Sequence, residues 1–240
     1  MKTNQRRRSE GKIAIASPLW SFKDIFEPVK TYINKLESEW CKWYTTLKTP
    51  ITPARNNLLK QIYNDWFERI LNCDDDNPPI RQDALDIMLD IDKDIVTWWV
   101  RKKTDPKVLC LKEKKEKEIG WEYVSYDKPF TWKVDLAWTW FMLINRKVIE
   151  AMLNKYPMPF ERSFVKYIKT DKWFEELWYA TWNPEITKEW KVIIFQRELS
   201  SDYLFCERCI WLWFEVWTDK RLKCDHYIRD NEWNIEITSV

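Results

Sequence analysis

Only two glycines, Gly11 and Gly120, occur in 240 residues, beside 18 tryptophans. Ordinary usage of ~7% would place on the order of 17 glycines in a chain this long. Glycine supplies the left-handed backbone that tight turns and helix ends require, and an α/β chain with about eight turns should not manage on two. Several tryptophans stand where glycine makes better physical sense. Trp98 follows Asp94-Ile95-Val96-Thr97, Trp138 and Trp140 flank Thr139, and Trp211 and Trp213 flank Leu212. In Ala137-Trp138-Thr139-Trp140-Phe141 two indoles would crowd a strand entering a ligand site, whereas Gly-Thr-Gly would admit close backbone approach. One reading is that many of these codons are UGA, in a lineage that decodes UGA as glycine, with Trp217 a genuine tryptophan. The other is a truly tryptophan-rich chain presenting an aromatic platform.

Charge excludes some partners. Forty Lys and Arg against 38 Asp and Glu leave a net charge of +2, without the global field that marks a nucleic-acid binder. The start, Met1-Lys2-Thr3-Asn4-Gln5-Arg6-Arg7-Arg8, imitates the basic region of a signal peptide, but the apolar run over residues 13–19 is short and lacks a small-residue cleavage site. No stretch approaches the roughly 20 apolar residues that span a bilayer. The expectation is a cytoplasmic protein, with Arg6-Arg7-Arg8 either a solvated tail or a peripheral contact with anionic lipid at the inner face of the cell membrane. Six cysteines without a secretion signal read as reduced thiols. Residues 1–10 are read as a basic tail, 11–230 as one domain and 231–240 as a C-terminal tail.

Hydrophobic periodicity organises the first half into strands and helices in alternation. Lys12-Ile13-Ala14-Ile15-Ala16 suits a buried first strand that stops at Ser17-Pro18. Apolar residues at Ile25, Phe26, Val29, Ile33 and Leu36 have helical spacing after Asp24, a candidate N-cap. A strand over 43–47, a helix over 54–63, a strand over 67–73, a short helix over 83–89 and a strand over 94–100 follow. That alternation predicts an α/β fold with a mostly parallel sheet and helices on both faces. Residues 112–118, a mixed-charge run, read as a solvated hairpin or loop. Ordered segments over 132–137 and 141–144, a helix over 146–153, an irregular aromatic-rich segment over 157–190, a helix over 200–210, a strand over 214–218 and a last strand or loop over 222–227 complete the chain.

The chemistry concentrates in Asp74-Asp75-Asp76, which ends the 67–73 strand. Open α/β sheets bind ligands at the carboxyl ends of their strands. Along an extended terminus Asp74 and Asp76 would face one side, and hard cations such as Mg²⁺ or Mn²⁺ take carboxylate oxygens while bridging to phosphates. Three acids capping a helix that starts near Pro78 is the competing reading. Cys206, Cys209, Cys224 and His226 imitate a zinc-ligand spacing, but the first pair falls in a predicted helix, where buried thiols are the simpler account. There is no glycine-rich phosphate loop, and a single histidine leaves no multi-histidine metal centre.

An ordered set of segments carries a family resemblance. It runs through Ala16-Ser17-Pro18, Thr52-Pro53-Ala54-Arg55-Asn56, Asn72-Cys73-Asp74-Asp75-Asp76 and Asp94-Ile95-Val96-Thr97-Trp98. It continues through 134–144, Ser201-Asp202-Tyr203-Leu204-Phe205-Cys206 and Lys223-Cys224-Asp225-His226. In order and spacing the chain resembles the bacterial and phage family-2-like glycosyltransferases of GT-A fold, from about residue 12 to 226. The resemblance implies a three-layer sandwich and a sugar moved from a nucleotide-sugar donor to a glycan, lipid-linked or protein acceptor. It implies Ser17 and Pro18 beside the nucleotide, Arg55 near base or phosphates, and Asp74 and Asp76 as the DxD pair holding Mn²⁺ or Mg²⁺, with Asp75 between them on the donor. His226 would complete the metal or diphosphate shell, or else stand at the surface beside Asp225. Trp138-Thr139-Trp140 matches a Gly-x-Gly facing donor and acceptor. Asp202 falls where inverting relatives place the base that activates the acceptor, although Ser201 replaces the usual preceding glutamate. A helix N-cap is the alternative role for Asp202. The rival functions are a non-catalytic tryptophan-rich carbohydrate-binding protein and a metal-dependent phosphate-ester hydrolase using the same acids.

Overall fold

Strand β1 (Ile13–Leu19) is buried along its whole length because layers pack on both of its faces. A computed structural model describes it together with residues 25–102, 105, 107–116, 121–160, 163–169, 174–178, 193–229, 235–238 and the preceding residue 12. Side chains alternate across a strand, and here the alternation sorts them into two cores. Ala14 and Ala16 join one apolar cluster, Ile13 and Ile15 the other. Strand β3 (Arg69–Cys73) divides in the same way, with Ile70 on one side and Leu71 and Cys73 on the other. A fully buried Leu or Ile contributes roughly 1.5–3 kcal/mol, and a one-residue slip would exchange the two faces along the whole strand, so the register is strongly set.

The helices cover both faces. Helices α1 (Glu27–Ser38) and α3 (Ala84–Ile91) place Val29, Ile33, Leu36, Leu85 and Met88 in the cluster of Ile13 and Ile15. Helices α2 (Ile51–Asn64), α4 (Arg146–Lys155) and α5 (Ser201–Trp211) place Leu58, Ile62, Val148, Met152, Leu204 and Phe205 in the cluster of Ala14 and Ala16. The seven-stranded sheet adds β2 (Lys42–Leu47), β4 (Ile95–Trp99), β7 (Trp132–Val134), β8 (Phe141–Asn145) and β12 (Val216–Lys223). Its order is β2-β1-β3-β8-β4-β12-β7.

The fold is α/β as the alternation predicts, while the sheet is mixed. β1 is parallel to β2 and β3, and β12 is parallel to β4, but β8 runs antiparallel to both β3 and β4, and β7 antiparallel to β12. Parallel strands need a long crossover, usually a helix. The helices α1, α2 and α3 supply crossovers only as far as β4. Between β4 and β8 lie the hairpin β5 (Lys112–Glu116) and β6 (Trp121–Ser125), then β7, with no helix among the described residues, and β8 is free to enter reversed. β2, β1, β3, β4 and β12 nevertheless point one way, so the carboxyl ends of the three parallel strands β1 to β3 share an edge.

Several boundaries differ from the periodicity. Helix α1 starts at Glu27 behind Phe26, with Pro28 in its first turn, and the expected cap Asp24 lies outside the described residues. The segment read as irregular over 157–190 holds strands β9 (Ser163–Lys169) and β10 (Phe174–Trp178), which pair with β11 (Ile193–Leu199) in a small antiparallel sheet. Its aromatic and β-branched residues are those enriched in strands. Within the expected C-terminal tail, β14 (Ile235–Thr238) pairs with β13 (His226–Arg229). The basic tail over 1–10 lies outside the described residues. No described helix is long and apolar enough to cross a membrane.

Candidate active site

Arg55 lies on the buried stripe of α2, in helical register with Leu58, Leu59 and Ile62, so its guanidinium points where apolar side chains go. Its residue exposure is 4%. A buried cation needs partners. It finds two: Nη2 donates to Asp74 Oδ2 at 2.8 Å, and Nη1 donates to Asp202 Oδ1. Burial lowers the guanidinium's proton affinity, but Asp202 and Asp74 outweigh it and the net shift is upward.

Asp74 directly follows β3, and its N–H donates to the carbonyl of Trp140 at 2.9 Å, tying the strand end to the 138–140 segment. Its second oxygen, Oδ1, is buried without a hydrogen-bond partner among the described residues. Burial pushes the carboxyl up to about 8, with Arg55 pulling it down and Asp76, Asp75 and Asp202 adding to the rise. Burial outweighs the ion pair because Arg55 is shared with Asp202.

Asp202 is in the first turn of α5 and accepts from Thr139 Oγ1 and, at 3.4 Å, from Thr139 N. The cap of that helix is Ser200, whose Oγ accepts from Tyr203 N at 3.4 Å, which corrects the reading of Asp202 as N-cap. The triple aspartate is likewise no helix cap. Asp75 and Asp76 form a turn, so the pair does not continue the extended strand as alternation assumed, and α3 begins only at Ala84.

Arg55, Asp74, Asp75, Asp76, Trp140 and Asp202 line one cavity of about 290 Å³ together with Ile51, Ser200 and Ser201. Ile51, Ser200 and Ser201 carried no chemical signal in the sequence, although a serine just before the helical pattern at 201 is a readable N-cap. Thr139 is reached through Asp202. The rings of Trp138 and Trp140 sit 3.8 Å apart at 47°, closer than the 4.5–7 Å usual for aromatic pairs.

Other predicted residues stand apart from this cavity. Ser17 and Pro18 are inside β1, which runs on to Leu19, and they do not line it. Ser17 is next to Ala16, which pairs with Asn72, and its carbonyl accepts from Thr45 Oγ1 at 2.7 Å while its own hydroxyl is buried without a partner among the described residues. His226 belongs by its backbone to β13, and its side chain lies outside the described residues. Its neighbour Tyr227 donates its N–H to the carbonyl of Asp76 at 2.9 Å, which brings that strand against the acidic turn. Cys206 and Cys209 pack in one core and Cys224 in the other, so they form no common zinc set. All six cysteines are buried thiols.

The site fits a divalent cation in part. An orphaned carboxylate oxygen, and a carboxyl raised chiefly by burial with neighbouring acids adding to the rise, leave room for a further positive charge. Among the described residues no three His, Cys, Asp or Glu side chains already converge as a complete ligand group.

No family model matches the chain, and no curated protein matches it. Among solved structures, the crystal structure of A197 from STIV is similar, with a TM-score of 0.57 over 95% of this chain and 94% of that one, at 12% identity. Likeness at that identity concerns architecture alone, and it extends over essentially the whole chain.

Proposed function

We propose that this chain is a metal-dependent glycosyltransferase of GT-A-like architecture. It moves a sugar from a nucleoside-diphosphate sugar to a glycan, lipid-linked or protein acceptor. The observation that carries the reading is the cavity at the ends of the parallel strands, where Asp74 and its orphaned Oδ1 lie across Arg55 from Asp202. Asp74 and Asp76 would hold Mn²⁺ or Mg²⁺, which supplies neutralisation of the departing diphosphate. Asp202, oriented by Thr139, would accept the proton of the acceptor hydroxyl after exchanging its Arg55 contact for the substrate. Arg55, released toward the cavity, would meet the phosphates.

The test is donor turnover over a panel of UDP-, GDP- and dTDP-sugars with Mn²⁺, for wild type and Asp76→Ala. Metal-dependent release of nucleoside diphosphate, lost in the variant, is the expected result. Release of inorganic phosphate would replace the reading with a phosphate-ester hydrolase. Oligosaccharide binding with no turnover of any donor would replace it with a carbohydrate-binding protein.

A further inference from the structure

Three helices end on the same backbone device with the same ill-suited residue in it. After α1, Trp40 has φ 81°; its N–H donates to Glu37 O at 3.3 Å, and that of Cys41 to Leu36 O at 3.0 Å. After α2, Trp66 has φ 61°; its N–H donates to Tyr63 O at 3.2 Å, and that of Phe67 to Ile62 O at 3.4 Å. After α5, Trp213 has φ 66°; its N–H donates to Ile210 O at 2.9 Å, and that of Phe214 to Cys209 O at 3.0 Å. Each is a complete Schellman motif with tryptophan at the left-handed position, which is usually glycine and sometimes asparagine.

A side chain there drives Cβ toward the following carbonyl, and for a bulky residue a positive φ is a genuine outlier. Nothing compensates by burial, since Trp40, Trp66 and Trp213 are 79%, 72% and 94% exposed. Three of the five non-glycine residues with positive φ among those described are tryptophan, the others being Lys48 and Asp92. Trp99 is the contrast: fully buried in β4, its Nε1 donates to Phe130 O at 3.2 Å, and its ring meets Tyr126 and Phe130 edge-on. The Trp138–Trp140 pair has no positive φ but is crowded, its ring centroids 3.8 Å apart on a segment whose carbonyl at 140 accepts from Asp74 N.

We infer that the residues at 40, 66, 138, 140 and 213 are glycines in the protein as its own cells make it, encoded by UGA read as glycine, while 99 is tryptophan. Sequence alone raised recoding from the composition and from positions such as 138, 140 and 213; the backbone adds 40 and 66 and shows 213 to be left-handed. At 140 the change removes an indole from the cavity wall and lets a ligand approach the backbone directly. That consequence rests on the active-site reading, whereas the residue identities do not.

Peptide mass spectrometry of the protein purified from the organism that encodes it decides the matter. The tryptic peptides 36–42, 61–69, 94–101, 134–146 and 209–220 contain all six positions. The expected masses are lower by one indolylmethyl-for-hydrogen exchange at each of the five positions, with fragment ions retaining tryptophan at 99. Tryptophan at any of the five, or glycine at 99, overturns the inference. The masses are independent of donor turnover, so they and the glycosyltransferase reading can fail separately.

Discussion

Arg55 Nη2 and Asp74 Oδ2 form a 2.8 Å ion pair, with the two side chains 3% and 11% exposed, joining the inner stripe of α2 to the end of β3. The guanidinium also reaches Asp202, so one cation compensates two carboxylates brought from different parts of the chain. Replacing it by a side chain of similar length and no charge strands both acids.

Above about pH 8, where Asp74 is ionised, Arg55→Met should destabilise the protein by about 3–5 kcal/mol, the usual cost of removing one partner of a buried ion pair. Urea denaturation in the absence of divalent cations measures this. Added Mn²⁺ should recover part of the loss if the acids accept a cation, because a ligand bound only by the folded state stabilises it.

The Asp74 carboxyl dictates a pH dependence. Its folded value of about 8 stands above the ordinary 3.8, so over that interval the folded protein holds a proton the unfolded chain has released. The stability this group contributes is complete below 3.8 and is lost as pH rises through about 8. Metal-free wild type should therefore lose stability relative to Asp74→Asn as pH rises across that window, as read by paired denaturation curves in chelator. Equal pH slopes for the two proteins would contradict the burial argument.

Recombinant protein carrying Trp40→Gly, Trp66→Gly and Trp213→Gly should be more stable than the tryptophan form. Relief of left-handed strain is worth roughly 1–2 kcal/mol at each position. The gain at 66 should be the smallest, since that indole lies 4.6 Å from the Arg146 guanidinium and loses a cation–π contact. Thermal melting of the single variants orders the three.

Asp202→Asn should lower sugar transfer by a factor of about 10²–10⁴, the range for loss of a general base, with donor binding by calorimetry changed much less. Thr139→Val removes the hydroxyl that orients Asp202 and should reduce kcat more than it raises KM. A parallel loss of donor binding and melting temperature in both variants would assign the pair a structural role.

Local pattern accounts for much of what was readable. Buried runs and helical spacing determine β1 through β4 and α1 through α3, because each depends on neighbours within a few residues. The same pattern drew attention to Asp74 at the end of a buried strand, whereas Arg55 and Asp202 came only from the resemblance to the glycosyltransferase family. The pattern missed the strands within 157–190 and placed the start of α1 two residues early, since strand pairing and helix starts depend on partners and caps beyond the periodic signal.

Tertiary structure alone decided the rest. β8 lies reversed between β3 and β4, with no helical crossover before it among the described residues, a relation between distant segments that no local period encodes. Arg55 is shared by Asp74 and Asp202 because α2, the end of β3 and the start of α5 meet at one edge of the sheet. The shortage of glycine was evident in the composition, but only backbone geometry shows tryptophan left-handed at three helix ends. Residue counts measure how much glycine is missing; dihedral angles and hydrogen bonds locate where the backbone needs it.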